Sequence, residues 1–282
     1  VLESGCLKQP QGLITFCEAQ PGWGQRPALL SLVPTQLGRL LADPSGIDWL
    51  QRFSVIWVGG AALPAVMADQ ARQAGIRLAP CYGATETAAM VAALPPERFL
   101  QGDASCGTPL MDVALRLAAD GALEVKTSRL AIACWRPEQP QQLQGLSDAS
   151  GWWRSGDRAV LEGDLRILGR LDGAVLSGGE TVFPEQLEAR LLAADLPLEA
   201  VLLLGIPDAH LGERLVGLVR SSTPDIVERL QDVTQLWPAA ERPKRWLLCP
   251  ELAPSEAGKW QRSRWQAWLQ SQESVHPPER HG

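Results

Sequence analysis

The chain has 282 residues, 45% of them hydrophobic and 21% charged, which is globular composition at a length that suits two domains. A net charge of −6 and a pI near 5.2 argue against non-specific binding to nucleic acid or anionic membrane. No apolar run reaches membrane-spanning length, no signal peptide opens the chain, and six scattered cysteines without a C-x-x-C pair suit reduced thiols in the cytoplasm.

Residues 1–27 are rich in Gly, Pro and Gln and carry no strong period. Pro34 to Leu41 then reads as a helix with proline at its start and Leu37, Leu40 and Leu41 on one face. Phe53 to Val58 is a buried strand ending at Gly59-Gly60, and Leu63 to Ala74 a helix closed by Gly75. Ile76 to Cys81 is a further strand, and it feeds the loop YGATE at residues 82–86. This alternation is α/β grammar, in which ligands bind beyond the carboxyl ends of strands. Asp112 to Val125 predicts a hairpin about Asp120-Gly121, and Ala159 to Leu168 another at Gly163-Asp164. These β-rich segments suggest a small barrel or sheet. Beyond the connector GRLDG (169–173) the pattern becomes α+β. Short strands are expected at Val175-Leu176, Val201–Ile206, Leu215–Val219 and Arg245–Leu248, with helices at Pro184–Leu192, Asp225–Gln231 and Arg262–Leu269. A domain boundary falls at about residue 170.

Composition narrows the chemistry. Three histidines, two of them (His276 and His281) in a polar tail, leave little for a histidine triad or metal cluster. Four lysines stand against 22 arginines, so a lysine in a marked context is worth weighing. In YGATE, Thr85 and Glu86 could hold a magnesium phosphate, or Thr85 could simply cap a helix. Asp157 of SGD could accept two ribose hydroxyls, or be a turn aspartate. Arg170 and Asp172 of GRLD could serve a nucleotide and a hinge, or form a surface ion pair. Gly178-Gly179 could admit an extended ligand, or make a tight turn. Lys259 of GKWQR could neutralise reacting oxygens, or be a solvated surface lysine. Each signal is modest by itself. Their fixed succession along one chain is not.

That succession, GGAAL, YGATE, GWWRSGD, GRLD, SGGE with a following P-E-x-x-E, and a late GK, resembles the adenylate-forming superfamily from about Ser31 to Leu269. The phrases SLVPTQLGRLL, VGGAALP, CYGATETAAM, LSGGETVFPEQLEARL and PKRWLLCPEL are similar to the 2-succinylbenzoate–CoA ligases within it. The resemblance implies a large AMP-binding α/β domain over residues 1–170, with mixed sheets, helices and a small β-barrel. A mobile C-terminal α+β domain over residues 171–282 would follow.

It also implies two half-reactions: attack of a carboxylate on the α-phosphorus of MgATP, then displacement of AMP by the thiol of CoA. Glu86 would help hold Mg²⁺ and Thr85 contact the phosphates. Tyr82 and Gly83 would lie at the adenine, and Gly59, Gly60 and Ala61 would wall the nucleotide and acyl pocket. Asp157 would bind the ribose hydroxyls with Arg170 assisting, Asp172 would be the hinge, and Lys259 would bridge acyl carboxylate and α-phosphate. Thr87 and Ala88 would line the acyl pocket, and Gly178 and Gly179 the pantetheine path. The partners implied are 2-succinylbenzoate, ATP and CoA, in menaquinone or phylloquinone biosynthesis. No nucleic acid and no integral membrane segment are expected, and a homo-oligomer stays open. Residues 1–30 hold no T-T-G-x-P-K phosphate loop, and the chain opens on Val1, so truncation is the expected explanation. Alternatives are a ligase for another aryl or acyl acid, or an AMP-binding fragment impaired in turnover.

Overall fold

The computed structural model describes residues 10–135, 143–208, 210–255 and 260–275. The chain divides into two compact units, residues 1–172 and 173–282.

The first unit begins with α1 (Pro10–Glu18), β1 (Ala28–Leu32), α2 (Pro34–Leu41), α3 (Pro44–Leu50), β2 (Phe53–Val58), α4 (Ala65–Gln73) and β3 (Leu78–Ala84). Both α2 and α3 have proline in their first turn, where its missing N–H costs no bond, and Asp43 caps α3 by accepting the Ser45 N–H at 2.9 Å. A short 3-10 turn, Thr85–Thr87, leads into β4 (Ala89–Ala93), α5 (Pro96–Leu100) and β5 (Thr108–Pro109). The five strands form one sheet in the order β1-β2-β3-β4-β5. β1, β2 and β3 run parallel, because helices carry the chain back between them. β3 changes partner along its length: residues 78–80 pair with β2, and residues 81–84 pair antiparallel with β4.

The expected leucines of α2 are buried with Trp49, Leu50, Phe53, Ile56 and Leu78 in one core. Trp23 stacks on Trp49 with centroids 6.2 Å apart, and Phe53 meets Trp49 edge-on at 4.7 Å.

The expected small barrel takes the form of a four-stranded antiparallel half-barrel, built from β6 (Val113–Leu117), β7 (Ala122–Thr127), β10 (Trp153–Glu162) and β11 (Asp164–Arg170) in the order β11-β10-β7-β6. The two-stranded ribbon of β8 (Ala133–Trp135) and β9 (Leu143–Gly145) lies between β7 and β10 in sequence. The half-barrel's core residues Leu123, Val125, Ala159 and Leu165 pack with Val91 and Ala92 of β4, and the Tyr82 ring joins them.

The second unit holds β12 (Val175–Ser177), β13 (Glu180–Val182), α6 (Pro184–Leu192), β14 (Ala200–Asp208), β15 (Gly212–Arg220), α7 (Ile226–Gln235), β16 (Arg245–Leu248) and α8 (Arg262–Val275). Its sheet runs β13-β12-β15-β14, with β16 also paired to β15. Alternate residues of β14 serve two cores. Val201 and Leu203 pack with Leu187 and Leu191 of α6 and Leu230 of α7. Leu202 and Leu204 pack with Trp265 and Leu269 of α8. A strand covered on both faces needs apolar residues at every position, which is the run Ala200–Leu204. No helix among the described residues is long and apolar enough to cross a membrane.

Candidate functional site

The glycines after β2 and the loop after β3 are neighbours because the two strands pair in parallel up to Val58 and Pro80. A Cβ on Gly59 would stand 2.9 Å from the Cys81 sulfur and 3.2 Å from the Cys81 carbonyl oxygen, so only glycine lets the strand ends meet this closely. Gly60 turns the chain with φ +82°, and Ala61 is exposed beside it.

Tyr82 then crosses to the half-barrel. Its hydroxyl donates to Asp157 Oδ2 at 2.5 Å. Burial, reinforced by that bond, lifts the Tyr82 hydroxyl above its ordinary range, so it stays a neutral donor at physiological pH. Asp157 faces Arg170 across the β10–β11 hairpin. Arg170 Nη1 lies 3.8 Å from Asp157 Oδ1, and the guanidinium binds Asp172 two-pronged at 3.0 and 2.8 Å. Gly156 makes room for it, since a Cβ there would lie 2.8 Å from Arg170 Nη2. Asp157 is thus a carboxylate held by a neutral donor on one oxygen, with the other turned to a cation beyond hydrogen-bond length. Such a group has acceptor capacity to offer a diol.

The turn after β3 has its own construction. The first residue of the turn is Thr85, not its cap. The hydroxyl that ties the turn back is that of Thr87, which accepts the Ala84 N–H at 3.0 Å and lies within 2.7 Å of the Ala89 carbonyl oxygen. Thr87 is fully buried. Thr85 is exposed and Glu86 half-buried, and neither side chain has a hydrogen-bond or ion-pair partner among the described residues. Ala88 and Ala89 follow with φ of +55° and +139°, backbone that residues with a Cβ adopt at a cost of about 1–3 kcal/mol each. Among the described residues no cluster of three metal-ligating side chains occurs. A lone carboxylate beside a hydroxyl therefore suits a cation that arrives with phosphate oxygens and water, as magnesium does, and not a cation held by protein alone. Glu86 and Thr85 would hold that pair.

The structure brings Gly59, Gly60, Tyr82, Gly83, Asp157, Arg170 and Asp172 into one region of the first unit. Gly178 and Gly179 lie in the second unit, where φ of +61° and +86° make them the two central residues of the β12–β13 hairpin. Lys259 lies outside the described residues. Arg262, three positions on, is anchored firmly: it binds both Glu188 oxygens at 3.0 Å, donates to the Leu203 carbonyl at 2.7 Å and reaches Glu185 at 3.1 Å. The anchoring roles of two arginines escaped the sequence reading, that of Arg262, read only as the start of a helix, and that of Arg129, and both rest on contacts distant in sequence. Arg129 grips the turn from outside. The surplus of arginine over lysine was their only trace in the sequence.

Residues 23–128 match the family described as AMP-binding enzyme. This stretch is an AMP-binding domain. Around it, the chain is 32% identical over 246 residues to the 2-succinylbenzoate–CoA ligase of Escherichia coli (strain K12), covering 86% of this chain and 51% of that one. Its identity to the same-named ligase of Salmonella typhimurium is also 32%, over 241 residues, at 85% and 50% coverage. The fold is similar to that of wild-type E. coli MenE with a bound m phenylether-linked analogue of OSB-AMS, with a TM-score of 0.65 at 30% identity over 90% of this chain and 54% of that chain. The Bacillus subtilis o-succinylbenzoate CoA synthetase in complex with its acyl-adenylate intermediate OSB-AMP shares the fold with a TM-score of 0.73 at 22% identity, over 85% and 51% of the two chains. The chain spans about half the length of the curated relatives it matches. In the first unit the Gly59-Gly60 turn follows the carboxyl end of β2, where α/β sheets take ligands, and Arg170 closes β11, while Tyr82 and Asp157 lie within β3 and β10.

Proposed function

We propose that this chain handles the nucleotide and the acyl group in an ATP-dependent acid–thiol ligase, which acts in the cytoplasm and forms 2-succinylbenzoyl-CoA from 2-succinylbenzoate, ATP and CoA in quinone biosynthesis. The observation that carries this reading is the convergence of Tyr82, Asp157 and Arg170, from three separate motifs, beside the Gly59-Gly60 turn. Asp157 binds the ribose diol, and Tyr82 fixes that carboxylate while its ring walls the adenine. Arg170 adds positive charge near the ribose and the phosphates. Thr85 donates to a phosphate oxygen and Glu86 faces the cation. Magnesium, when bound with ATP, supplies charge neutralisation on the phosphates. Lys259 neutralises the carboxylate and α-phosphate oxygens as the acyl-adenylate forms, and the Gly178-Gly179 turn borders the pantetheine. Asp172 is the hinge between residues 1–170 and the C-terminal domain at 171–282. The names of the relatives support the acid, and the half-length coverage sets the test.

The chain is incubated with 2-succinylbenzoate, ATP, magnesium and CoA, and AMP and thioester are measured by liquid chromatography. Formation of both is the expected result. Thioester from another aryl or fatty acid, and none from 2-succinylbenzoate, would move the reading to a sibling ligase. A second reading rests on the half-length coverage: the same site binds AMP and does not turn over. AMP binding by calorimetry with no adenylate formed selects it.

A further inference from the structure

The turn that carries Thr85 and Glu86 is held in place by a side chain from a different part of the unit. Arg129, just beyond β7, donates from Nη1 to the Thr87 carbonyl at 3.0 Å and from Nη2 to the Met90 carbonyl at 3.1 Å. Its Nε binds Asp112 Oδ2 at 2.6 Å, and Thr127 donates to the same oxygen at 3.0 Å. Two residues further on, the Ala131 N–H donates to the Glu86 carbonyl at 2.8 Å. The carbonyls of Glu86, Thr87 and Met90, on either side of the strained pair Ala88-Ala89, therefore all accept from the segment after β7. The planar guanidinium is suited to this task, because its fork meets two carbonyls and a carboxylate in one plane. Held this way, the turn keeps its backbone occupied and leaves the exposed Thr85 hydroxyl and the half-buried Glu86 carboxylate without hydrogen-bond or ion-pair partners among the described residues.

We propose that Arg129, oriented by Asp112, is the positioning residue of this turn: it holds the left-handed backbone at Ala88-Ala89, and so Thr85 and Glu86, in the geometry that receives a magnesium-bound polyphosphate. The magnesium-phosphate part rests on the nucleotide reading above. The clamp itself does not.

The test uses the whole chain with Arg129→Lys and Arg129→Ala, and Asp112→Asn as a milder variant. Hydrogen exchange reads the amides of Ala84, Ala88 and Ala131, each bonded inside the clamped turn, against those of Val125 and Trp153 in the half-barrel. Calorimetry reads adenosine, which uses the Tyr82–Asp157 end, against MgATP, which also uses the turn. Both arginine variants are expected to speed exchange at the three turn amides by about tenfold or more while the half-barrel amides hold. MgATP affinity is expected to fall by about tenfold with adenosine affinity within about twofold of wild type. Lysine keeps the charge but loses the fork, so a lysine variant that behaves as wild type in exchange and binding overturns the proposal. Exchange that quickens throughout the half-barrel, or equal losses for adenosine and MgATP, also overturns it, since Arg129 would then be a general packing residue. If wild type binds neither adenosine nor MgATP, the nucleotide reading falls, and the exchange contrast alone decides the clamp.

Discussion

Tyr82 and Asp157 stand 75 positions apart and meet in one hydrogen bond of 2.5 Å. On the proposed reading this bond aims the carboxylate at a ribose. Asp157→Ala is then expected to weaken AMP binding by about tenfold to a hundredfold, which corresponds to about 1.5–3 kcal/mol for hydrogen bonds to a charged group. Calorimetry checks it, and unchanged AMP affinity would remove Asp157 from the site. A second residue with a measurable signature is Glu188. Burial pushes its carboxyl up to about 7, against the pull of Arg262 and the Leu203 N–H. An unfolded glutamate titrates near 4.3, so between about 4.5 and 7 the folded chain holds a proton that the unfolded chain has released. Stability of the second unit should therefore decline as pH rises through that window and level off above it. Urea midpoints at pH 5, 6, 7 and 8, followed by fluorescence of the buried Trp265, test this. A rising midpoint would show that the ion pair with Arg262 outweighs burial. The chemistry of Thr85 and Thr87 was half legible. The sequence places two hydroxyls two positions apart, but which one ties the turn back depends on the backbone path into β4.

At the scale of elements, glycine marks where backbones come close. A Cβ on Gly83 would stand 2.2 Å from the Ala89 carbonyl oxygen and 2.6 Å from the Met90 Cα, so β3 and β4 would have to part. Gly83→Ala is expected to cost about 1–3 kcal/mol and to lower the melting temperature of the first unit, as measured by thermal denaturation. Gly178→Ala and Gly179→Ala should each cost about 1 kcal/mol or more, because both residues sit at positive φ in a two-residue hairpin. A variant as stable as wild type would mean that the hairpin can adopt another turn. Elements with a strong local signature were legible to the residue: α2, β2, α6 and β16 lie where the sequence reading puts them. The proline starts, apolar spacing and flanking glycines that mark them act within a few residues. α1, α3, α5 and the short strands β1, β4, β5, β8, β9 and β13 were not read. Most of them are short, and strands such as β4 exist only because a partner strand elsewhere offers its edge. β3 runs to Ala84, three residues past its expected end at Cys81, for the same reason: its last residues pair with β4.

At the scale of the whole molecule, the second unit carries two cores on the two faces of β14 and β15, drawn entirely from residues 175–269. Residues 173–282 expressed alone are therefore expected to fold. A cooperative thermal transition with dispersed amide resonances would show it. A molten, non-cooperative fragment would mean that residues before 173 contribute to those cores. In the first unit the order of motifs was legible because each motif is a local need: a close approach, a turn, an acid at a hairpin.

Apolar periodicity and proline and glycine placement were enough, by themselves, to mark an α/β part followed by an α+β part, and the order of motifs carried the resemblance to the adenylate-forming superfamily. Those signals act over a few residues, so they survive without the fold. Only the tertiary structure decided that Tyr82 meets Asp157, that Thr87 and not Thr85 ties the turn, and that Arg129 and Arg262 are anchors. Arg262 and Glu188 lie 74 positions apart, and Arg129 and Thr87 lie 42 apart. The arginine–glutamate pair is set by where α6 and α8 pack on the sheet of the second unit. The grip of Arg129 follows from the pairing of β4 with β3 and of β7 with β6, which no local pattern of residues encodes.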